Sequence, residues 1–285
     1  MNKKHLITLP VFILLFPLLM YSQEKVLYKQ IDTTKLYLEI IYPENFSKAE
    51  KHPAMIFFFG GGWNTGNPHQ FIHHAEYFSK KGIVCFLADY RVKKRNGTTP
   101  FDALKDAKSA IRFVRANAEK FGIDPDRIIA SGGSAGGHLA AATALIKKYN
   151  AATDDTTVSC IPDALVLFNP VIDNGPGGYG YDRIGEAYRT FSPLHNIHKG
   201  APPTIFFLGT KDKLIPVVTA EYYKTVMEKV GSRCDLHLYE GQEHGFFNYR
   251  NLDIYNATIK ETEDFLRSLG YINKFTAIKR KVIFE

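Results

Sequence analysis

An α/β fold, with one mostly parallel sheet covered by helices on both faces, is predicted by three features of the sequence. Short apolar runs of strand length alternate with longer amphipathic runs. Most successive strand candidates are separated by connections long enough to hold a helix, as parallel pairing requires. A glycine-rich turn with serine at its centre joins one such strand to an alanine-rich helical run.

Strands are predicted at 26–31, 36–42, 54–59, 84–89, 128–130, Ala164–Phe168, 204–208 and Cys234–Tyr239. Only a short polar link separates the first two, which reads as a hairpin. Helices are predicted at 71–81, 101–121, 135–149, 217–230 and 254–268. In the second of these Ala107, Ala110, Ile111 and Val114 recur at helical spacing and mark a buried face. The segment 174–196 breaks the alternation. It is rich in glycine and tyrosine without a helical period, and long irregular segments in compact domains are usually lids or binding loops.

Of the 285 residues 45% are hydrophobic and 23% charged, a globular balance with ample apolar material for a core. Lys3 and Lys4 precede an apolar run over 6–20 that Pro10 and Pro17 interrupt. A spanning helix needs roughly 20 apolar residues, so 1–22 reads as a signal peptide and 23–285 as one catalytic domain, secreted or periplasmic and without a stable membrane anchor after cleavage. Loss of the two lysines brings the formal charge from +7 to +5. The cations are scattered, apart from Lys279-Arg280-Lys281, so nucleic-acid binding is not expected. Cys85, Cys160 and Cys234 have no CxxC spacing; Cys85 sits in a strand pattern, and Cys160 and Cys234 allow one bridge at most.

The run Arg127-Ile128-Ile129-Ala130 enters Ser131-Gly132-Gly133-Ser134-Ala135-Gly136-Gly137, which is G-x-S-x-G between a strand and a helix. Such a turn exposes the serine hydroxyl, and glycines at 132 and 136 remove side chains that would collide there. A dinucleotide site would want its glycines in the first βαβ unit, and a phosphate-binding loop would want a following lysine. Neither is present. Ser134 is therefore the candidate nucleophile. Asp212 follows the strand at 204–208 and is the candidate acid; His244 follows the strand Cys234–Tyr239 and is the candidate base. The chain order Ser134, Asp212, His244 differs from those of the chymotrypsin and subtilisin types.

With Gly-Thr-Lys-Asp and Glu-His-Gly-Phe downstream, Gly-Gly-Ser-Ala-Gly-Gly-His resembles the α/β-hydrolase esterases of the hormone-sensitive-lipase and acetyl-esterase groups. A second match lies upstream, where Phe57-Phe58-Phe59 leads into Gly60-Gly61-Gly62-Trp63. The resemblance implies an oxyanion hole from the amides of Gly61, Gly62 and Ala135. It departs from the family in carrying Phe59 where those esterases have histidine. It also implies that Trp63 edges the acyl site.

Tyr179, Tyr181 and Tyr188 are candidate substrate-binding residues, since aromatic faces stack on sugar rings. Asp173 is a second candidate acid. His69 and His73, four apart on a predicted helix, could chelate a metal but lack a third ligand of convincing spacing, and the serine chemistry calls for no metal or other cofactor. The resemblance thus implies a serine carboxylesterase removing acetyl or other small acyl groups from a small-molecule or carbohydrate ester. Alternatives are a prolyl-oligopeptidase-type serine peptidase, or a catalytically inactive binding protein of the same fold.

Overall fold

The computed structural model describes residues 23–44 and 46–273, so the leader-like segment 1–22 and Lys279-Arg280-Lys281 lie outside the described residues. Strands β1 (Gln23–Ile31) and β2 (Thr34–Ile41) form an antiparallel hairpin whose turn includes Asp32 at φ 49°. The hairpin continues antiparallel onto β4 (Val84–Ala88). From there β3 (His52–Phe58), β5 (Ile123–Gly133), β6 (Ala164–Phe168), β7 (Thr204–Gly209) and β8 (Cys234–Tyr239) pair in parallel. The spatial order is β1-β2-β4-β3-β5-β6-β7-β8. The chain thus leaves β3 in one direction, to β4, and returns on the other side of β3 as β5. Loops that follow β3 and β5 therefore diverge, and the carboxyl ends of these two strands flank a crevice where α/β sheets place their ligands.

Period-two alternation sends strand side chains to opposite faces, each with its own helices. Met55, Phe57, Leu87, Val166 and Phe168 pack with α1 (Ile72–Ser79) and α5 (Leu252–Ser268). Ala54, Ile56, Phe58, Phe86, Leu165 and Leu167 pack with α2 (Pro100–Ala116), α3 (Ala135–Leu145) and α4 (Val217–Lys229). Helix α2 opens with a capping box: the Thr99 side chain accepts from the Asp102 N–H, and Asp102 reaches back to the Thr99 N–H. Helix α3 is buried along its whole length, which explains why its alanine-rich sequence has no polar face.

Four details depart from the sequence reading. The helix at 101–121 breaks at Asn117, whose side-chain amide donates to the Phe113 carbonyl; a separate turn, Ala118–Phe121, follows. Such local side-chain bonds compete with the helical ladder. Helix α3 stops at Leu145 because Ile146 turns extended, its carbonyl taking a hydrogen bond from Lys108 Nζ at 2.5 Å. Strand β5 begins at Ile123, five residues early, opposite His52. The segment 174–196 contains short helical turns at Tyr181–Ile184, Gly185–Ala187, Tyr188–Phe191 and Pro193–Asn196, each too brief to leave a period.

Among the described residues two histidines are fully buried. His74 is enclosed by Phe57, Phe71, Phe168, Phe247 and Tyr255, and His138 stands edge-on to Trp63. Burial holds both imidazoles well below their usual value of 6.5, at about 3. Both are neutral in the fold above that value, whereas the unfolded chain protonates them below 6.5. Stability is therefore unaffected by these groups above pH 6.5 and is lost as the pH falls from 6.5 towards 3. Urea unfolding of His74→Leu should show a pH slope shallower than the parent's by about 1.4 kcal/mol per unit between pH 6 and 4. Parallel slopes would contradict the neutral assignment.

Candidate active site

Strand β5 delivers Ser134 at its junction with α3, in a backbone conformation of φ 54°, ψ −119°. A positive φ is costly for a residue with a side chain, of order 1–3 kcal/mol, and persists only where the surroundings over-determine it. Here the Ser134 N–H donates to the Phe168 carbonyl (2.9 Å), and the Ser134 carbonyl accepts from Val171 (3.1 Å) and His138 (3.0 Å). The first turn of α3 also lies directly on the end of β3: a methyl group at Gly136 would sit 2.0 Å from the Phe58 carbonyl oxygen. Only glycine permits that approach.

His244 Nε2 is 2.9 Å from Ser134 Oγ, and His244 Nδ1 is 2.7 Å from Asp212 Oδ2. The loop after β7 fixes Asp212, whose buried side chain accepts at Oδ1 from the amides of Leu214 (2.8 Å) and Ile215 (3.0 Å). A carboxylate can only accept, so Nδ1 carries the imidazole proton and Nε2 presents its lone pair to the Ser134 hydroxyl. The arrangement can take a proton from the serine and return it to another oxygen.

Beyond β3 the chain turns through Gly60, Gly61 and Gly62. Gly61 has φ 114°, and a methyl group there would fall 2.3 Å from the Thr65 carbonyl oxygen. The Gly60 N–H is taken by Gln70 Oε1 (2.6 Å). By contrast, the amides of Gly61, Gly62 and Ala135 donate to no acceptor among the described residues, which leaves them free to stabilise an oxyanion. Phe59 stacks on Tyr90 with ring centroids 4.0 Å apart, and the Tyr90 hydroxyl donates to the Phe59 carbonyl (2.6 Å). The loop is thus held through Phe59, the residue at which the sequence departs from the pattern it resembles. An open cleft of about 450 Å³ runs beside it, lined by Gly60, Gly61, Gly66, Asn67, His69 and Gln70.

The remaining candidates are dispersed. Trp63 is only 1% exposed, packed among His138, Phe191 and Tyr179, so it lies in the core behind the glycines and does not edge an open acyl site. Its backbone has a φ of 56°. Tyr179 does approach the loop, its hydroxyl lying against Gly62. Tyr181 donates instead to Glu186 (2.6 Å), and buried Tyr188 stands edge-on to His195. Asp173 lies near His195 (3.7 Å) in a cleft bordered by Leu194, Val218 and Tyr222, and it is not among the hydrogen-bond or ion-pair partners of His244 in the described residues. His69 sits in the turn Pro68–Phe71, ahead of the helix that carries His73, and the two pair with different carboxylates, Glu39 (2.6 Å) and Glu76 (3.3 Å). Among the described residues no cluster of His, Cys, Asp or Glu has a metal-binding arrangement. The three cysteines are buried and free.

Residues 38–174 match the BD-FAE family, a span that holds the glycine turn and Ser134. An acetylxylan esterase of Xylanibacter ruminicola is 28% identical over 232 residues, covering 75% of this chain and 44% of that protein. Esterase LipC of Mycobacterium tuberculosis is 31% identical over 218 residues, covering 68% and 53%. The chain thus spans about half the length of these curated relatives. The apo form of Thermogutta terrifontis esterase 2 superposes with a TM-score of 0.85 at 41% identity, over 90% of this chain and 98% of that one. The chain belongs to the α/β-hydrolase esterases. The same Thermogutta esterase has been solved with propionate bound, with butyrate bound and phosphonylated by sarin.

Four polar residues near this site escaped the sequence reading. Gln70 bridges Gly60 to Asn248 (Nε2 to Oδ1, 3.1 Å), and Asn248 donates to the Gly245 carbonyl (2.7 Å), so the glycine turn and the histidine loop are tied together. Arg183 donates to the Gly62 carbonyl (2.5 Å) and lies over the Trp63 and Tyr179 rings, anchoring the segment 174–196 to the same turn. Asn169, first after β6, contacts His244.

Proposed function

We propose that the protein is a carboxylic ester hydrolase working through an acyl-enzyme on Ser134. The observation that carries this reading is the unbroken hydrogen-bonded chain Asp212–His244–Ser134, set beside three unengaged amides. His244 takes the Ser134 proton as Oγ attacks the ester carbonyl. The amides of Gly61, Gly62 and Ala135 receive the oxyanion, and His244 returns the proton to the leaving alcohol. Water, deprotonated in turn by His244, releases the acid. The Thermogutta relative phosphonylated by sarin supports a nucleophilic mechanism for this family.

Small acyl groups, acetyl among them, are the substrates this reading favours, with a carbohydrate as the alcohol. Support comes from the propionate- and butyrate-bound forms of the Thermogutta esterase and from the acetylxylan esterase relative. The leader-like segment 1–22 adds export to the same reading. Hydrolysis of acyl-nitrophenyl esters of increasing chain length, with acetate release from acetylated xylan, provides the test. Acetyl and propionyl esters are expected to turn over roughly tenfold or more faster than octanoyl ones. Faster octanoyl turnover would reject the small acyl site.

A further inference from the structure

Asn169 is fully buried and holds a strained backbone, φ 34°, at the carboxyl end of β6. Its N–H is engaged by the Phe207 carbonyl of β7 (2.7 Å), which pins the residue between two strands. Asparagine tolerates this left-handed region better than most residues. The side chain reaches the histidine loop, where Oδ1 accepts from the Gly245 N–H (3.0 Å). That contact settles which way the amide faces, because an N–H needs an oxygen opposite it. The amide nitrogen is thereby left facing His244 Nε2 at 3.4 Å, a long contact, on the side where Ser134 Oγ also approaches.

We propose that Asn169 is a positioning residue for the ester hydrolysis described above, setting both the place of His244 and the location of its proton. The inference rests on the reading of Ser134 and His244 as nucleophile and base. Through Gly245 it holds the loop from one side while Asn248 holds it from the other. Through its amide nitrogen it presents N–H dipoles to Nε2. These suit a lone pair at Nε2 and oppose an N–H there, so they assist delivery of the proton to the leaving alcohol. His244 is otherwise faced by Asp212, from the loop after β7, and Ser134, from the turn after β5. Among the described residues no further charged side chain makes a hydrogen bond or ion pair with it.

The test is the pH profile of kcat/KM on nitrophenyl acetate for the full chain. Asn169→Asp keeps the shape and an oxygen for Gly245 but places carboxylate charge near Nε2. Its acid limb is expected about one pH unit above that of the wild type. Asn169→Gly suits the positive φ and removes the side chain without a new buried charge. Its limb should move the same way by a smaller amount, with kcat lowered about tenfold and KM within about twofold. If the aspartate variant fails to fold by circular dichroism, the glycine variant decides alone. An acid limb unmoved in the folded variants overturns the role of Asn169. Wild-type protein that neither cleaves the ester nor is labelled by a fluorophosphonate at Ser134 would instead overturn the serine reading, and this inference with it.

Discussion

Ser134→Ala is expected to fold normally and to lose about 10⁶ in kcat, retaining only what binding and the oxyanion amides supply. The size of the loss follows from the geometry. Among the described residues Oγ is the one nucleophilic atom hydrogen-bonded to Nε2, and without it His244 and Asp212 have no proton to move. The positive φ of Ser134 is set by backbone bonds to Phe168, Val171 and His138, none of which involves the hydroxyl. The unfolding midpoint should therefore change little. Retention of more than a few per cent of wild-type hydrolysis would show that another group attacks the ester.

Asp212→Asn is expected to cost about 10⁴ in kcat while leaving the backbone undisturbed. Asp212 Oδ1 is committed to the amides of Leu214 and Ile215. In the asparagine variant the side-chain oxygen must stay on those donors, and the NH2 then faces Nδ1. The imidazole answers by moving its proton to Nε2, where it blocks acceptance of the serine proton. A loss below tenfold would remove Asp212 from the acid's place. Asp173 offers no substitute, since it is directed to the cleft near His195.

The fold was legible because most strands hold a compact apolar run and most long connections carry a helix. Eight strands were expected and eight form among the described residues, and Ala164–Phe168 and Cys234–Tyr239 have the boundaries read from the sequence. Helix ends were less legible, since they depend on tertiary partners such as Lys108 on the Ile146 carbonyl. Ser134, Asp212 and His244 could be placed because each follows a recognisable parallel strand, and a parallel sheet brings all such ends to one side. Aromatic residues were harder. Trp63 looks like a pocket residue from its position after the glycines, yet its indole packs in the core among His138, Tyr179 and Phe191. Tyr181 and Tyr188 likewise find partners in Glu186 and His195, contacts that exist only once the short turns of 174–196 have formed. Polar positioning residues such as Gln70, Asn169 and Asn248 left no motif, because their roles depend on partners as distant as 178 residues along the chain.

The most direct test of the account is stoichiometric labelling of the wild-type protein with a fluorophosphonate, followed by peptide mass mapping and assay of residual nitrophenyl acetate hydrolysis. The account predicts one adduct per chain, on Ser134, with activity falling in proportion to labelling and no labelling of Ser134→Ala. Full labelling elsewhere, or hydrolysis that survives complete modification of Ser134, would contradict it.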